Sequence, residues 1–398
     1  MRWSWFMPYH HFFIKRKQRV ERKEREERER AFYENGSLLL EKLIVCCNAK
    51  PIPIPTFSPQ HLLLATNNFS SSELLGVYVT HWYKGSLEGR IVLIKRFKFM
   101  LRDFIINDLV ISAQMSGHSN VLKPIGCCLE TPCPISVFEF AANGVLADRI
   151  YVSRVTELKH QRMVWERRLK IARQIAHALS YLHTAFPRPV IHMHIGMSSI
   201  LLDEHDVPKL SDFYLSVSIP EGEADVAAFF LNTPESKATG KVTEKADVYD
   251  FGRFLFELLT GDDSLNITRF TVDKDSSLVE YIHNRAQGSC INEIVDPAIL
   301  AEDGEAGVSL LRQLQAVVDL GLTCTEEDPQ RRPTMVDITK QLRRIERFAQ
   351  TGEVLLGNLQ NLKLHESFEE HASASLKRNA SSDEIQAVNE ASERPLEV

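Results

Sequence analysis

The stretch Asp247-Val248-Tyr249-Asp250-Phe251-Gly252 opens an apolar run that reads on to Leu259 and stops at Gly261. A glycine just past a periodic apolar face is an ordinary helix stop, so the spacing predicts a helix from Asp247 to Leu259. Two more helices flank it. Trp165 to His183 carries Leu169, Ala172, Ile175, Ala176, Leu179 and Leu182 at the spacing of one buried helical face, and Leu310 to Leu322 reads as a third helix. Upstream of Asn143 the character changes. From about Glu73 to Phe140 the pattern is strand-rich, with one helix near residues 103–116. A small strand-rich lobe followed by a larger helical lobe is an α+β, two-lobed arrangement.

Outside these lobes the chain is polar and charged. Residues 15–47 read as helix. Its first part, Lys15 to Arg30, holds nine basic against five acidic residues; its second is amphipathic through Leu38, Leu39, Leu40, Leu43 and Ile44. Pro51-Ile52-Pro53-Ile54-Pro55 then forms a stiff extended linker, followed by a short helical lead-in from Ser58 to Asn67. From Thr351 to Val398 nine acidic residues stand against four basic ones in a Ser-, Glu- and Asn-rich tail, a composition that predicts disorder. The expected division is a helical extension over 1–50, linker and lead-in over 51–72, lobes over 73–142 and 143–350, and the tail over 351–398.

Hydrophobic content of 44% and charged content of 25% fit an ordinary soluble globular protein. A net charge of -6 argues against nucleic acid as a partner. The seven cysteines include the adjacent pairs Cys46-Cys47 and Cys127-Cys128, with no spacing of a disulfide framework, which points to a reducing, cytoplasmic compartment. Cys127, Cys128 and Cys133 lack a matching Cys or His pair downstream, so buried apolar cysteines are expected rather than a metal site. No run has the length of a membrane span. The start, MRWSWFMPYHHFFIKRK, lacks the layout of a signal peptide, and Arg2 excludes N-myristoylation at this start. Two readings of it stand: peripheral membrane contact through Trp3, Trp5, Phe6, Phe12 and Phe13 beside the basic run, or a solvated mixed-charge helix with a loose aromatic end.

Several segments together resemble a protein kinase domain, specifically that of plant receptor-like cytoplasmic kinases. Phe57-Ser58 and Ala65-Thr66-Asn67-Asn68-Phe69 look like the lead-in of those kinases. Tyr83-Lys84-Gly85 with Val92-Leu93-Ile94-Lys95 looks like their second and third strands, and Gly126-Cys127-Cys128-Leu129-Glu130 like the fourth-strand region. Asn143-Gly144-Val145-Leu146 resembles the segment after the hinge between lobes. Asp247 to Gly252 and Asp328-Pro329-Gln330-Arg331-Arg332-Pro333-Thr334-Met335 resemble the late helical signatures. The likeness covers roughly residues 57–347, and it implies a two-lobed protein kinase-like fold.

The same resemblance locates a damaged catalytic site. A kinase covers the nucleotide phosphates with a glycine-rich loop. Here that loop reads Leu75-Gly76-Val77-Tyr78-Val79-Thr80-His81-Trp82, with one glycine and one residue too few. The family's His-Arg-Asp motif falls on His192-Met193-His194. Arginine is replaced by Met193 and the catalytic aspartate by His194. Gly196 stands at the usual phosphate-contacting lysine, and Ser199 at the metal-binding asparagine. Imidazole suits general base chemistry, yet it lacks the charge of a carboxylate that holds a hydroxyl among magnesium ions, so a spacer role is expected of His194. Other positions survive. Lys95 matches the phosphate-contacting lysine of the third strand, and Asp108 replaces the family's helix glutamate with a side chain one methylene shorter. Asp212-Phe213-Tyr214 keeps the magnesium-binding aspartate but has tyrosine for the following glycine. These imply either weak nucleotide binding or a retained lobe interface.

The architectural positions are all kept. By resemblance Glu235 pairs with Arg332 in a largely buried bridge, and Asp247 holds the catalytic-loop backbone. The closest likeness is to plant immune pseudokinases that pair with a coiled-coil nucleotide-binding leucine-rich-repeat (NLR) receptor, carried by Asn35-Gly36-Ser37-Leu38-Leu39-Leu40-Glu41-Lys42-Leu43-Ile44 and by Asp108 to Glu130, including Met115-Ser116-Gly117-His118. It implies a cytoplasmic adaptor for an NLR receptor and for active receptor-like cytoplasmic kinases, with no required cofactor and with ATP and magnesium binding weak or absent. Two alternatives stay open: an atypical Ser/Thr kinase, and a scaffold that binds ATP without turnover. Val226, Phe229, Phe230 and Leu231, near the end of the activation segment, read either as a docking patch or as residues folded inward.

Overall fold

The charged start forms one long helix, α1 (Met7–Cys47), in the computed structural model, which describes residues 7–47, 52–71, 74–77, 80–98, 101–151, 163–228, 231–262, 277–286, 291–301 and 307–347. The expectations for Trp3, Trp5, Phe6, Tyr78, Val79, Phe229, Phe230, the side chains of Phe12 and Phe13, and the tail lie outside the described residues. Residues 15–30 of α1 stand almost wholly in solvent. They carry ion pairs one turn apart, Lys17–Glu21 and Arg22–Glu26, with Arg30–Glu34 beyond them, the pattern that supports a helix without a packing partner. From Ala31 onward the helix docks. Leu39 joins a cluster with Ile106, Leu109, Val110, Cys127 and Leu129. The fully buried Asn35 donates its side-chain amide to the carbonyls of Leu129 (2.8 Å) and Thr131 (2.9 Å).

The proline-rich linker runs along the first lobe: Thr56 bridges Cys127 in parallel, and Cys127 N–H donates to the Pro55 carbonyl at 2.9 Å. Helix α2 (Pro59–Ala65) follows, capped by the Ser58 hydroxyl with proline at its first position, both standard starts. Then come β1 (Leu74–Val77), β2 (Thr80–Leu87), β3 (Arg90–Phe97), α3 (Arg102–Gln114), β4 (Pro124–Cys128) and β5 (Ile135–Glu139). The strands form one antiparallel sheet ordered β1-β2-β3-β5-β4. Cys127 and Cys128 are buried on β4, while Cys133 is exposed beyond it.

The second lobe begins with the short α4 (Ala147–Ile150) and the long α5 (Trp165–Thr184). Short paired strands follow: β6 (Val190–Ile191), β7 (Ile200–Leu202), β8 (Pro208–Leu210), β9 (Val217–Ser218) and β10 (Val226–Ala227). After α6 (Pro234–Thr239) and β11 (Lys241–Val242) come α7 (Lys245–Thr260), α8 (Leu278–Ala286), α9 (Ile291–Ile294), α10 (Pro297–Ala301) and α11 (Gly307–Cys324), with a last helix over 335–347. Strand β6 pairs with β9, β7 with β8, and β10 with β11, all antiparallel. Helix α7 ends at Gly261, as its sequence predicts, with φ 71°. It crosses α11 closely: a Cβ on Gly252 would lie 2.7 Å from Cys324, and one on Gly321 2.4 Å from the Phe256 ring. Glycine at these positions lets two helices meet that each bury an apolar face. One apolar cluster runs from Trp82, Leu93 and Phe138 of the first lobe to Phe251, Phe254 and Leu314 of the second, so the cleft between lobes lies within continuous packing.

Candidate functional site

Asp247, fully buried in the first turn of α7, organises the loop after β6. Its carboxylate accepts the backbone N–H of His192 (2.8 Å) and of Met193 (2.9 Å), and it lies 2.8 Å from His183 Nε2. These bonds hold Met193 at φ 62°, a conformation that surroundings must impose on a non-glycine residue. The Met193 side chain packs with Ile191, Ile219, Ala228, Val242 and Ala246. Val226 and Leu231 are half-buried against the same cluster. Apolar contact with Met193 ties the activation segment down at the position that the resemblance aligns with the arginine of the His-Arg-Asp motif.

His192 is enclosed. Its Nδ1 accepts the backbone N–H of His194 (3.2 Å) and its Nε2 faces the Ser211 carbonyl (3.0 Å), which assigns the neutral Nε2–H tautomer. Burial pulls its pKa down to about 4. His194 is held below the ordinary histidine range as well, chiefly by burial, and its ring centre lies 5.2 Å from that of Tyr214. Ser199 closes on its own 3₁₀ turn, Met197–Ser199. The hydroxyl donates to the Gly196 carbonyl (2.8 Å) and accepts the Gly196 N–H (3.2 Å). The loop thus presents a neutral imidazole and a satisfied hydroxyl where phosphoryl transfer uses a carboxylate and a metal ligand.

Across the cleft, Lys95 of β3 has no exposed surface. Its Nζ donates to Asp108 Oδ2 of α3 at 2.8 Å and lies 2.6 Å from Asp212 Oδ1 of the second lobe. The second contact is an ion pair without hydrogen-bond alignment. The shorter aspartate therefore reaches the lysine. Burial alone would lower the Lys95 pKa, but the two carboxylates hold it above the ordinary lysine value. Burial likewise pushes Asp108 up. Four aromatic rings close around the ammonium: Phe97 at 4.8 Å, Trp82 at 5.0 Å, Phe138 at 5.8 Å and Tyr214 at 6.0 Å from ring centres. Trp82 sits directly opposite Lys95 in the β2–β3 ladder. Next to it, His81 of β2 pairs with Val77 of β1.

One residue at this site carried no sequence signal. Asn107 donates its side-chain amide to the carbonyls of Phe213 (3.2 Å), Tyr214 (3.3 Å) and Ser216 (2.8 Å). Its partners lie more than a hundred residues away along the chain, beyond the reach of any spacing rule. Deeper in the second lobe, Arg332 binds both oxygens of Glu235 at 2.8 Å, donates to the Glu326 and Lys245 carbonyls, and stacks 4.9 Å from the Tyr249 ring centre.

Residues 71–342 match the family described as protein tyrosine and serine/threonine kinase. The chain belongs to the protein kinase family. Within it, the serine/threonine-protein kinase ZRK1 of Arabidopsis thaliana is 38% identical over 334 residues, covering 80% of this chain and 93% of the relative. The non-functional pseudokinase ZRK2 of the same plant is 38% identical over 344 residues, covering 83% and 94%. The non-functional pseudokinase ZED1 is 37% identical over 332 residues, covering 79% and 96%. Relatives of equal similarity thus bear both names, and overall likeness does not separate a working kinase from a pseudokinase. The kinase fold here has its two lobes, and no described helix is long and apolar enough to cross a membrane.

Proposed function

We propose that this kinase-family chain is a pseudokinase: a protein-binding adaptor in plant immune signalling that transfers no phosphate. One observation carries the first half. His194, a neutral half-buried imidazole, stands where the catalytic carboxylate belongs. Loss of a positioned base costs roughly 10²–10⁴ in rate, from a usual kinase rate of about 1–100 s⁻¹. Ser199 closed on Gly196 removes a metal ligand in addition, so the remaining rate falls below that of a signalling enzyme.

The adaptor half rests on the kept architecture and on the resemblance. Glu235, Asp247 and Arg332 retain their buried partners while the chemistry has gone. The resemblance supplies the partners: an NLR receptor and active receptor-like cytoplasmic kinases, met in the cytoplasm or at the plasma membrane through those partners. A second reading, an atypical Ser/Thr kinase, draws on the joined Lys95–Asp108 pair and on a relative named a serine/threonine-protein kinase.

Purified chain incubated with radiolabelled ATP, magnesium and a generic substrate is expected to give no transfer above background. A signal that vanishes in Lys95→Ala overturns the pseudokinase reading. Co-precipitation from plant tissue, identified by mass spectrometry, is expected to recover an NLR receptor or a receptor-like cytoplasmic kinase; recovery of neither removes the adaptor role.

A further inference from the structure

We infer that the chain fills its own nucleotide cleft, with Trp82 and Tyr214 standing where a nucleotide would reach Lys95, and that this filling latches the lobes together without any ligand. The inference rests on the reading of Lys95 as the phosphate-contacting lysine of a pseudokinase, and it explains how that lysine is kept while its use is lost.

A phosphate oxygen that binds Lys95 must come within hydrogen-bond distance of Nζ, about 2.7–2.9 Å for a charged pair. Two carboxylates already hold that distance, at 2.8 and 2.6 Å. Anionic phosphate beside these two carboxylates would meet like charge. The surrounding volume is taken by rings. Trp82 is 1% exposed and meets Phe138 edge to face at 5.6 Å, within the apolar cluster that continues into the second lobe. Tyr214, 3% exposed, packs on Phe97 and Ile105. Its ring centre lies 6.0 Å from Lys95 Nζ and 5.2 Å from that of His194. The buried Tyr214 ring thus occupies space next to both the lysine and the base position.

The same residues join the lobes. Lys95 and Asp108 belong to the first lobe and Asp212 to the second. Asn107 on α3 holds three carbonyls of the second-lobe segment that carries Tyr214, and Tyr214 in turn wedges against β3 and α3. A nucleotide normally bridges two such lobes; here a buried ion cluster, an amide clamp and an aromatic wedge do so. The closed arrangement is then a fixed property of the apo chain, and a partner meets one shape whatever the ATP level.

The test begins with the native chain. Amine-selective acetylation with peptide mapping is expected to modify exposed Lys84 and to leave Lys95 intact, and millimolar ATP with magnesium is expected to leave the melting temperature unchanged. Tyr214→Gly is expected to expose Lys95 to the reagent and to bind a fluorescent ATP analogue at least ten-fold more tightly than the native chain. Lys95 labelled as fast as Lys84 in the native chain, or ATP raising its melting temperature, overturns the inference. Native binding without transfer would sink the latch yet leave the pseudokinase reading standing, whereas transfer would sink that reading itself. A folded Tyr214→Gly chain that still hides Lys95 overturns the role given to Tyr214. Should that variant fail to fold, labelling of the native chain decides.

Discussion

Arg332 grips Glu235 through two parallel hydrogen bonds, Nη1 to Oε1 and Nη2 to Oε2, each 2.8 Å long. The arginine is fully buried and the glutamate nearly so. The pair lies between the end of the activation segment and the start of the last helix, joining parts of the second lobe 97 residues apart. Removing either partner strands the other charge.

Glu235→Ala and Arg332→Ala are each expected to lower stability by about 3–5 kcal/mol, the cost of an uncompensated buried charge. His194→Ala, which removes a half-buried neutral ring rather than one half of a buried ion pair, is expected to cost clearly less. Urea unfolding of the three variants checks the order. Equal midpoints would refute the burial of the pair.

Met193→Arg restores the family's residue but places a guanidinium among Ile191, Ile219, Ala228, Val242 and Ala246. Without a phosphate to receive it, the charge is unpaired, and a loss of about 3–5 kcal/mol is expected. Limited proteolysis should show earlier cleavage near residues 219–231 than in the native chain. Unchanged stability and cleavage would mean that apolar contact with Met193 does not anchor this segment.

His192 sets a pH dependence whose sign follows from its lowered pKa. The folded chain holds it near 4, below the ordinary 6.5, because burial disfavours the cation. The neutral ring therefore stabilises the fold fully above pH 6.5, and that contribution is lost as pH falls toward 4. At 1.36 kcal/mol per pKa unit the total is about 3 kcal/mol. Histidine-selective ¹⁵N NMR should show the assigned His192 ring in the neutral Nε2–H form at pH 5, while unfolding midpoints decline from pH 7 to pH 4.5. Titration of the His192 ring near 6.5 would contradict the enclosure.

Asn35→Ala removes two hydrogen bonds, one to the buried Leu129 carbonyl and one to the half-buried Thr131 carbonyl. Leaving buried acceptors unsatisfied costs about 1–3 kcal/mol. The loss should appear both in the melting temperature and as faster hydrogen exchange along α1 from Ala31 to Cys47, with α5 unaffected at the exchange level. Slow exchange in α1 after the substitution would mean that its apolar face docks the helix alone.

The sequence by itself determined what short-range order can carry. Helix periods in Trp165–His183 and Asp247–Leu259, the stop at Gly261 and the change from strand to helix near Asn143 fixed an α+β fold in two lobes. The substitutions at Met193, His194, Gly196 and Ser199 were equally legible, because a catalytic loop is one contiguous motif and each missing group has a known place in it. Only the tertiary structure decided the rest. Whether Asp108 reaches Lys95 depended on how closely α3 sits to β3, which is set by packing against α1 and by Asn107 holding a segment over a hundred residues away. The enclosure of Lys95 by Trp82, Phe97, Phe138 and Tyr214 arises from four elements converging on one ammonium. Residue spacing records neighbours along a helix or strand; contacts between distant segments come from the way whole elements pack, and there the chemistry of this cleft was settled.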